Sequence, residues 1–284
     1  MKLRMISGIL LAGLLSAGMA LAEPVAMVTD ASGGVFAVSG GKNKKIPLLA
    51  YLEPGTVIQL DDHARLSITL FAKPVEYRFT GPAKLTVEAG RILAHEGKAE
   101  AQPVSLEKTS AAKKFTVAQR ESVAQAAYEM RAVRPGLRLG DPVDTRLIGD
   151  DLAFSWDGPR PADGYQLSLY DGRKRLLHHV SLADNSWTPS AGLLKAGGAY
   201  EWEIRATLEN GEVLTARGSF SVAGSAAAKA IRAQRPQAGA SFSDRVLYAV
   251  FLEEKGYKYD ARRIWKELAK ERPDDAVAKE HSTR

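Results

Sequence analysis

Between Val25 and about Leu93 the chain is cut into short runs, VAMV, VFAV, TVIQL, ARLSITLF, VEYRF and AKLTV, rich in Val, Ile, Leu, Thr and aromatic residues. SGG, SGGKNK, EPG, DDH, AKP, TGP and EAG punctuate them. Runs this short, closed by Gly, Pro, Asn and Asp, read as strands joined by turns. In ARLSITLF, Leu66, Ile68 and Leu70 alternate with Arg65, Ser67 and Thr69; in VEYRF, Val75, Tyr77 and Phe79 alternate with Glu76 and Arg78. A period of two predicts one buried face and one wet face. Many short strands at close spacing predict a small sandwich or rolled β-structure. A second block of the same kind runs from 148 to 223. There LAFSW (152–156), GYQLSLYD (164–171), RLLHHVSL (175–182), AYEWEIRATL (199–208) and VLTARGSFSV (213–222) alternate, and ENGE supplies a hairpin turn. Five or six strands are expected there, with a further one at about 143–148.

The stretch KKIPLLAYLEPGTVIQLDDHARLSITL, with a Pro-Gly turn before a strand, Ala64 opening the next and Gly81-Pro82-Ala83 beyond, resembles the FecR family of periplasmic domains. That resemblance covers 23–94 and implies a sensing or interaction domain with no active site. The family's best-known members join it to a membrane helix and an anti-sigma segment; neither is read in this chain. Leu194-Lys195-Ala196-Gly197-Gly198-Ala199-Tyr200-Glu201-Trp202 is similar to the fibronectin type III signature, in which a leucine six before a tyrosine makes the corner ahead of an inward-alternating strand. Trp156 then stands where such a sandwich keeps its core tryptophan.

The end of the chain changes period. Ala249, Leu252, Gly256, Ala261, Trp265, Leu268 and Pro273 fall where a tetratricopeptide repeat keeps its close-packing, turn and stop positions, and 240–273 has the repeat length of about 34 residues. Arg245, Lys258 and Tyr259 depart from the pattern, and one repeat is found. An unpaired repeat cannot bury its apolar face alone. Its cover is therefore either its own sandwich or a partner, and Trp265 and Leu252 are the candidate partner-binding residues. Between the modules, 95–147 reads as a linker with a short helix at about 117–132 ended by Pro135-Gly136. Residues 224–240 read as a second linker and 276–284 as a tail.

Location follows from the first 22 residues. Lys2 and Arg4 precede an apolar run of about 17 residues closed by Ala20-Leu21-Ala22, the arrangement of a cleaved secretory signal. Glu23-Pro24 follows where a membrane anchor would carry a basic stop, and the apolar run is short for a span. With no cysteine in 284 residues, neither a lipid-modified terminus nor a disulfide framework is available. A periplasmic protein without a membrane segment is the expectation. Formal charge is +6 and unevenly placed, with 8 basic against 12 acidic residues over 139–223 and 13 against 9 over 224–284. Basic flanks fit either solvated helix faces or attraction to an acidic partner. The density of a nucleic-acid groove is not reached.

No reaction is named by the sequence. His178 and His179 are adjacent in a strand and point to opposite faces, so they cannot ligate one ion. Asp61-Asp62-His63 is a polar turn without a second cluster at metal-loop spacing. Neither a G-x-S-x-G nor a phosphate-binding glycine loop occurs, and Glu201 and Glu203 share one strand face as alternation alone requires. No catalytic, cofactor-binding or metal-ligating residue is assigned. Trp187, in DNSWTPS, is a third candidate partner-binding residue; it either stacks on a sugar ring or partner, or covers the end of the sandwich core. The expectation is a mainly β, multi-domain, non-enzymatic periplasmic adaptor, scaffold or sensor for another envelope protein. Its alternative is a binder of peptidoglycan or another cell-wall glycan.

Overall fold

A computed structural model describes residues 23–126, 136–149, 151–158 and 164–283. The signal segment and the end of the expected 117–132 helix lie outside them. The chain is mainly β, in four sheets, with five helices among the described residues.

The first sandwich contains β1 (Ala26–Ser32), β2 (Val35–Ser39), β3 (Lys42–Lys45), β4 (Tyr51–Leu52), β5 (Val57–Leu60), β6 (Arg65–Leu70), β7 (Val75–Thr80), β8 (Ala83–Val87), β9 (Ile92–Glu96) and β10 (Ala99–Pro103). One sheet runs β10-β7-β6-β1-β4 and the other β3-β2-β5-β8-β9, antiparallel throughout. Alternation fills the space between them. Ala26, Val28, Leu66, Ile68, Leu70 and Phe79 from one sheet meet Val35, Ile58, Leu60, Leu85 and Val87 from the other. Burying each such side chain contributes roughly 1.5–3 kcal/mol before entropy is charged against it.

The face expected to be wet is not. Thr29, Ser67, Thr69 and Glu76 are all buried, and Met27 belongs to a second core with the helices. β1 therefore serves two cores, its alternate side chains passing to opposite sides.

Eight described strands make the second sandwich: β11 (Arg138–Leu139), β12 (Thr145–Leu147), β13 (Phe154–Asp157), β14 (Tyr165–Asp171), β15 (Leu176–Leu182), β16 (Ser186–Trp187), β17 (Ala199–Thr207) and β18 (Val213–Val222). Their orders are β11-β13-β16 and β12-β18-β17-β14-β15, with β12 parallel to β18. Trp156, Trp202, Phe154, Leu167, Leu169 and Ile204 fill the core. Tyr200 fixes the corner ahead of β17: its hydroxyl accepts from Lys195 N at 2.6 Å, and Leu194 is buried beside it.

Helices α1 (Leu106–Ala126), α2 (Ser225–Ala233), α3 (Phe242–Glu254), α4 (Lys258–Glu271) and α5 (Ala276–Thr283) form a layer between the sandwiches. Ser241 caps α3, its hydroxyl accepting from Asp244 N at 3.2 Å. Gly256, at φ 81°, closes the same helix: Tyr257 N donates to Leu252 O and Gly256 N to Glu253 O. Only a residue at ease with left-handed backbone turns the chain there. α4 presents Ala261, Trp265 and Leu268 as one apolar stripe. α3 is buried on nearly every side because α1, α4 and β1 all pack on it.

The expected linkers and tail are corrected. Residues 95–115 complete β9, add β10 along β7 and begin α1, whose Ala111 and Ala112 pack into the helical core. Residues 224–240 contain α2, buried through Ala228 and Ile231, and the tail is α5, buried through Ala278 and His281. Alanine-rich polar sequence reads as linker because its apolar surface is small. Here that smallness lets helices approach closely, and the cover of a large neighbour supplies what propensity lacks.

Candidate functional site

The three residues proposed to meet a partner are placed by the fold as follows. Trp265 and Leu252 are at most 1 % exposed, inside the helical core with Phe242, Tyr257, Ala249 and Leu268. The Trp265 indole N–H donates to Glu253 Oε1 at 2.6 Å, and His281 Nδ1 lies 3.0 Å from that same oxygen. Neither residue is available to a partner: the face of the hairpin expected to need outside cover is closed by α1, α5 and β1. Trp187 is half-buried. His178 stacks on its ring (4.9 Å, 12°) and Phe154 packs against it at 5.2 Å, so this indole closes the sandwich end. His179 points to the opposite face and pairs with Ser168 Oγ at 2.9 Å. These three residues do not form a common site.

Polar groups instead weld the modules together. Glu76, fully buried, accepts from Thr29 Oγ1 (2.8 Å), Arg78 Nε (2.7 Å) and Ser243 Oγ (2.9 Å), and Arg78 continues to Asp244 at 3.3 Å. Lys108 of α1 faces Asp244 and Glu76; burial lowers its pKa while those two carboxylates raise it. At the other end of α4, Arg272 makes two bonds to Asp30, at 2.5 and 3.0 Å, and lies 3.5 Å from the centre of the Phe242 ring. Against the second sandwich, Arg263 pairs with Asp151 (2.7 Å) and Arg262 with Asp141. Asp260 Oδ2 accepts from Ile148 N at 3.1 Å, and burial raises its pKa to about 6. No sequence pattern pointed to Glu76, Asp30 or Asp260, since Ser243, Arg272 and Ile148 are each more than a hundred residues from the carboxylate they bind and Glu76 sits on a face that alternation called wet.

What remains open centres on Asp144. The loop before β12 is held from both sides, by the ion pair of Asp141 with Arg262 and by the Trp202 indole N–H donating to Pro142 O at 2.8 Å. Gly218 makes room for it: a Cβ there would stand 2.8 Å from Leu139 Cδ1 and 3.2 Å from Val143 Cγ2. Asp144 itself adopts φ 46°, a left-handed conformation that Asp tolerates better than most residues, with its N–H on Ser219 O at 2.9 Å. Three clefts meet at this residue. One of about 510 Å³ opens over β14, β17 and β18 among Tyr170, Lys174, Glu201, Glu203 and Arg217. A second of about 500 Å³ leads to Arg146 and Lys255. The third, about 680 Å³, runs between α1, α3, α4 and α5 past Lys114, Glu254, Lys258 and His281. The combined groove carries both signs of charge. Glu203 and Arg217 are ion-paired across its floor, which holds the Arg217 pKa above its ordinary value. Glu254 pairs with both Lys114 and Lys255, each at 3.4 Å.

Among the described residues no group of three or more His, Cys, Asp or Glu is placed to hold a metal, and no helix is long and apolar enough to cross a membrane. No protein-family model and no curated protein matches the chain. Among solved structures, CopC from Methylosinus trichosporium OB3b aligns over 31% of this chain and 95% of that one, at 17% identity and a TM-score of 0.26. At that level the likeness carries no argument.

Proposed function

We propose that this chain is an exported, non-enzymatic adaptor of the bacterial periplasm that holds a segment of another envelope protein in the groove around Asp144. The observation that carries the reading is the combination of welded modules with one continuous grooved face that sets Lys174, Arg146 and Lys255 beside Glu201 and Asp144. A polypeptide, with both charges and a backbone to bond, complements such a surface. A uniform polyanion would meet repulsion at Glu201 and Asp144. The resemblances to FecR, fibronectin type III and tetratricopeptide modules, all interaction units, support the same class. The test is capture of envelope proteins by in-cell crosslinking from a photoreactive residue at Tyr170, compared with Glu201→Lys. One specific partner, lost in the variant, is the expected result. Equal capture by both, or none above background, overturns it.

A second reading has its own observation. β3, Lys-Asn-Lys-Lys, is wholly exposed at a sheet edge and is the most basic strand of the molecule. Acidic cell-wall glycan would be drawn there, in a salt-dependent manner. Cosedimentation with purified peptidoglycan that is abolished by replacing Lys42, Lys44 and Lys45 with Ser would favour it; no cosedimentation at low salt removes it.

A further inference from the structure

The chain has three asparagines, at 43, 185 and 210, and their surroundings differ. Asn43 and the Lys44 that follows it are paired to β2, opposite Val38 and Ala37. Asn185 precedes Ser186 of β16, and its carbonyl accepts from Trp156 N at 3.1 Å. Asn210 lies exposed at the tip of the hairpin joining β17 to β18, and Gly211 follows it. Gly211 takes φ 81°, and a Cβ built on it would meet nothing within 4 Å. The backbone nitrogen after Asn210 therefore has no side chain beside it and faces open solvent. The Asn210 amide is also oriented, because Glu212 N donates to its Oδ1 at 2.9 Å. A donor on that oxygen draws electrons from Cγ and stabilises the negative charge that an attack on Cγ places there.

We propose that Asn210 is a modification site, converted without an enzyme to aspartyl and isoaspartyl by attack of its own backbone. Gly211 N gives its proton to hydroxide and forms a bond to Asn210 Cγ. The Cγ–Nδ2 bond breaks, and the nitrogen takes a proton from water and leaves as ammonia, which restores the hydroxide and closes a cyclic imide. Water then opens the imide. Breaking the bond from Gly211 N to Cγ leaves aspartyl; breaking the bond from Gly211 N to the Asn210 carbonyl carbon leaves isoaspartyl, with the side-chain methylene now in the main chain. One turn bond has to open first, the N–H of Gly211 to Leu208 O at 2.9 Å. Opening costs little at a hairpin tip where Glu209, Asn210, Gly211 and Glu212 are all exposed. Either product adds a negative charge to the module whose acidic residues already outnumber the basic ones. The isoaspartyl form also lengthens the turn between β17 and β18, two of the strands under the cleft beside Asp144. The inference is independent of what the Asp144 groove holds.

Peptide mapping by mass spectrometry tests it, on the folded chain aged in neutral to mildly alkaline buffer and on the same chain aged in concentrated urea. The peptide holding Asn210 is expected to gain the mass that separates a carboxyl from an amide and to split into aspartyl and isoaspartyl forms. Isomerisation at Asp157-Gly158 or Asp171-Gly172 leaves mass unchanged, so the mass gain singles out the amide. Asn43 and Asn185 should remain amides over the same interval. The rate at Asn210 should rise with pH, because Gly211 N must lose its proton. It should lie within about tenfold of the rate in urea, the allowance for opening one exposed turn. Asn210→Gln, at an exposed position, should abolish the gain in that peptide. A folded chain that keeps its Asn210 amide, or loses it more slowly than that allowance, overturns the proposal. So does a rate indifferent to pH, or equal loss at all three asparagines.

Discussion

The two sandwiches are written in the same alternating code, yet the outer faces of their five-stranded sheets meet different fates. On β1, β6 and β7, the positions between the core residues are Thr29, Ser67, Thr69 and Glu76, and every one is buried beneath the helices. On β14 and β17 no helix covers the corresponding positions: Glu201 and Arg205 are exposed and Tyr170 half-buried, while Ser168 and Glu203 are buried by their own neighbours on the sheet. Polarity therefore does not tell which face is free. What decides is whether a distant segment brings matching donors, as Ser243 does for Glu76, or leaves the face to solvent.

Replacing Trp265 with Ala should cost the most, about 3–5 kcal/mol in urea unfolding, because the indole fills the helical core and satisfies Glu253. A loss below about 1 kcal/mol would mean that the helical layer is not the common support of both sandwiches. Next comes the direct contrast between the two faces. Glu76→Ala strands Arg78 and two hydroxyls, and is expected to lower stability by about 2–4 kcal/mol. Asp260→Asn acts in the opposite sense. Because burial raises the folded pKa to about 6, the stability contributed by Asp260 is full below pH 4 and is lost as pH rises through 6. The amide removes that dependence and should stabilise the chain by about 1–2 kcal/mol at pH 8, with no gain at pH 4. Thermal melts across that range would show it, and equal effects at both pH values would sink the explanation. Smallest should be Glu203→Gln, under about 1 kcal/mol, since Arg217 across from it is 76% exposed. If Glu203 proved as costly as Glu76, the distinction between the two sheets would collapse.

The strands and the helical hairpin were readable because their signals are local. Leu66, Ile68 and Leu70 repeat at two, Ala261, Trp265 and Leu268 at helical spacing, and Gly256 marks a turn that few other residues make. The expected helix at about 117–132 overlaps the end of α1, but the start of α1, α2 and α5 were not readable as structure, because Ala111, Ala228 and Ala278 bury little surface each and gain their order from Phe242, Tyr248 and Trp265 elsewhere. Trp265 was correctly singled out as needing cover, but its cover comes from α1 and α5, segments that composition assigned to linker and tail. The groove was legible only in fragments: Glu201 and Glu203 as a wet strand face, Asp144 not at all, since its place depends on Trp202 and Arg262 reaching it from opposite sides.

The bonds that hide the outer face of the first sandwich join residues far apart in the chain: Glu76 to Ser243 across 167 positions and Asp30 to Arg272 across 242. A chain made from its N-terminus therefore completes β1 to β10 long before α3 and α4 exist. For that interval Met27, Thr29 and the Glu76 carboxylate stand in water on a sheet that already has its other core. The first sandwich is thus born with an unfinished side, and segments synthesised well after it are the ones that finish it.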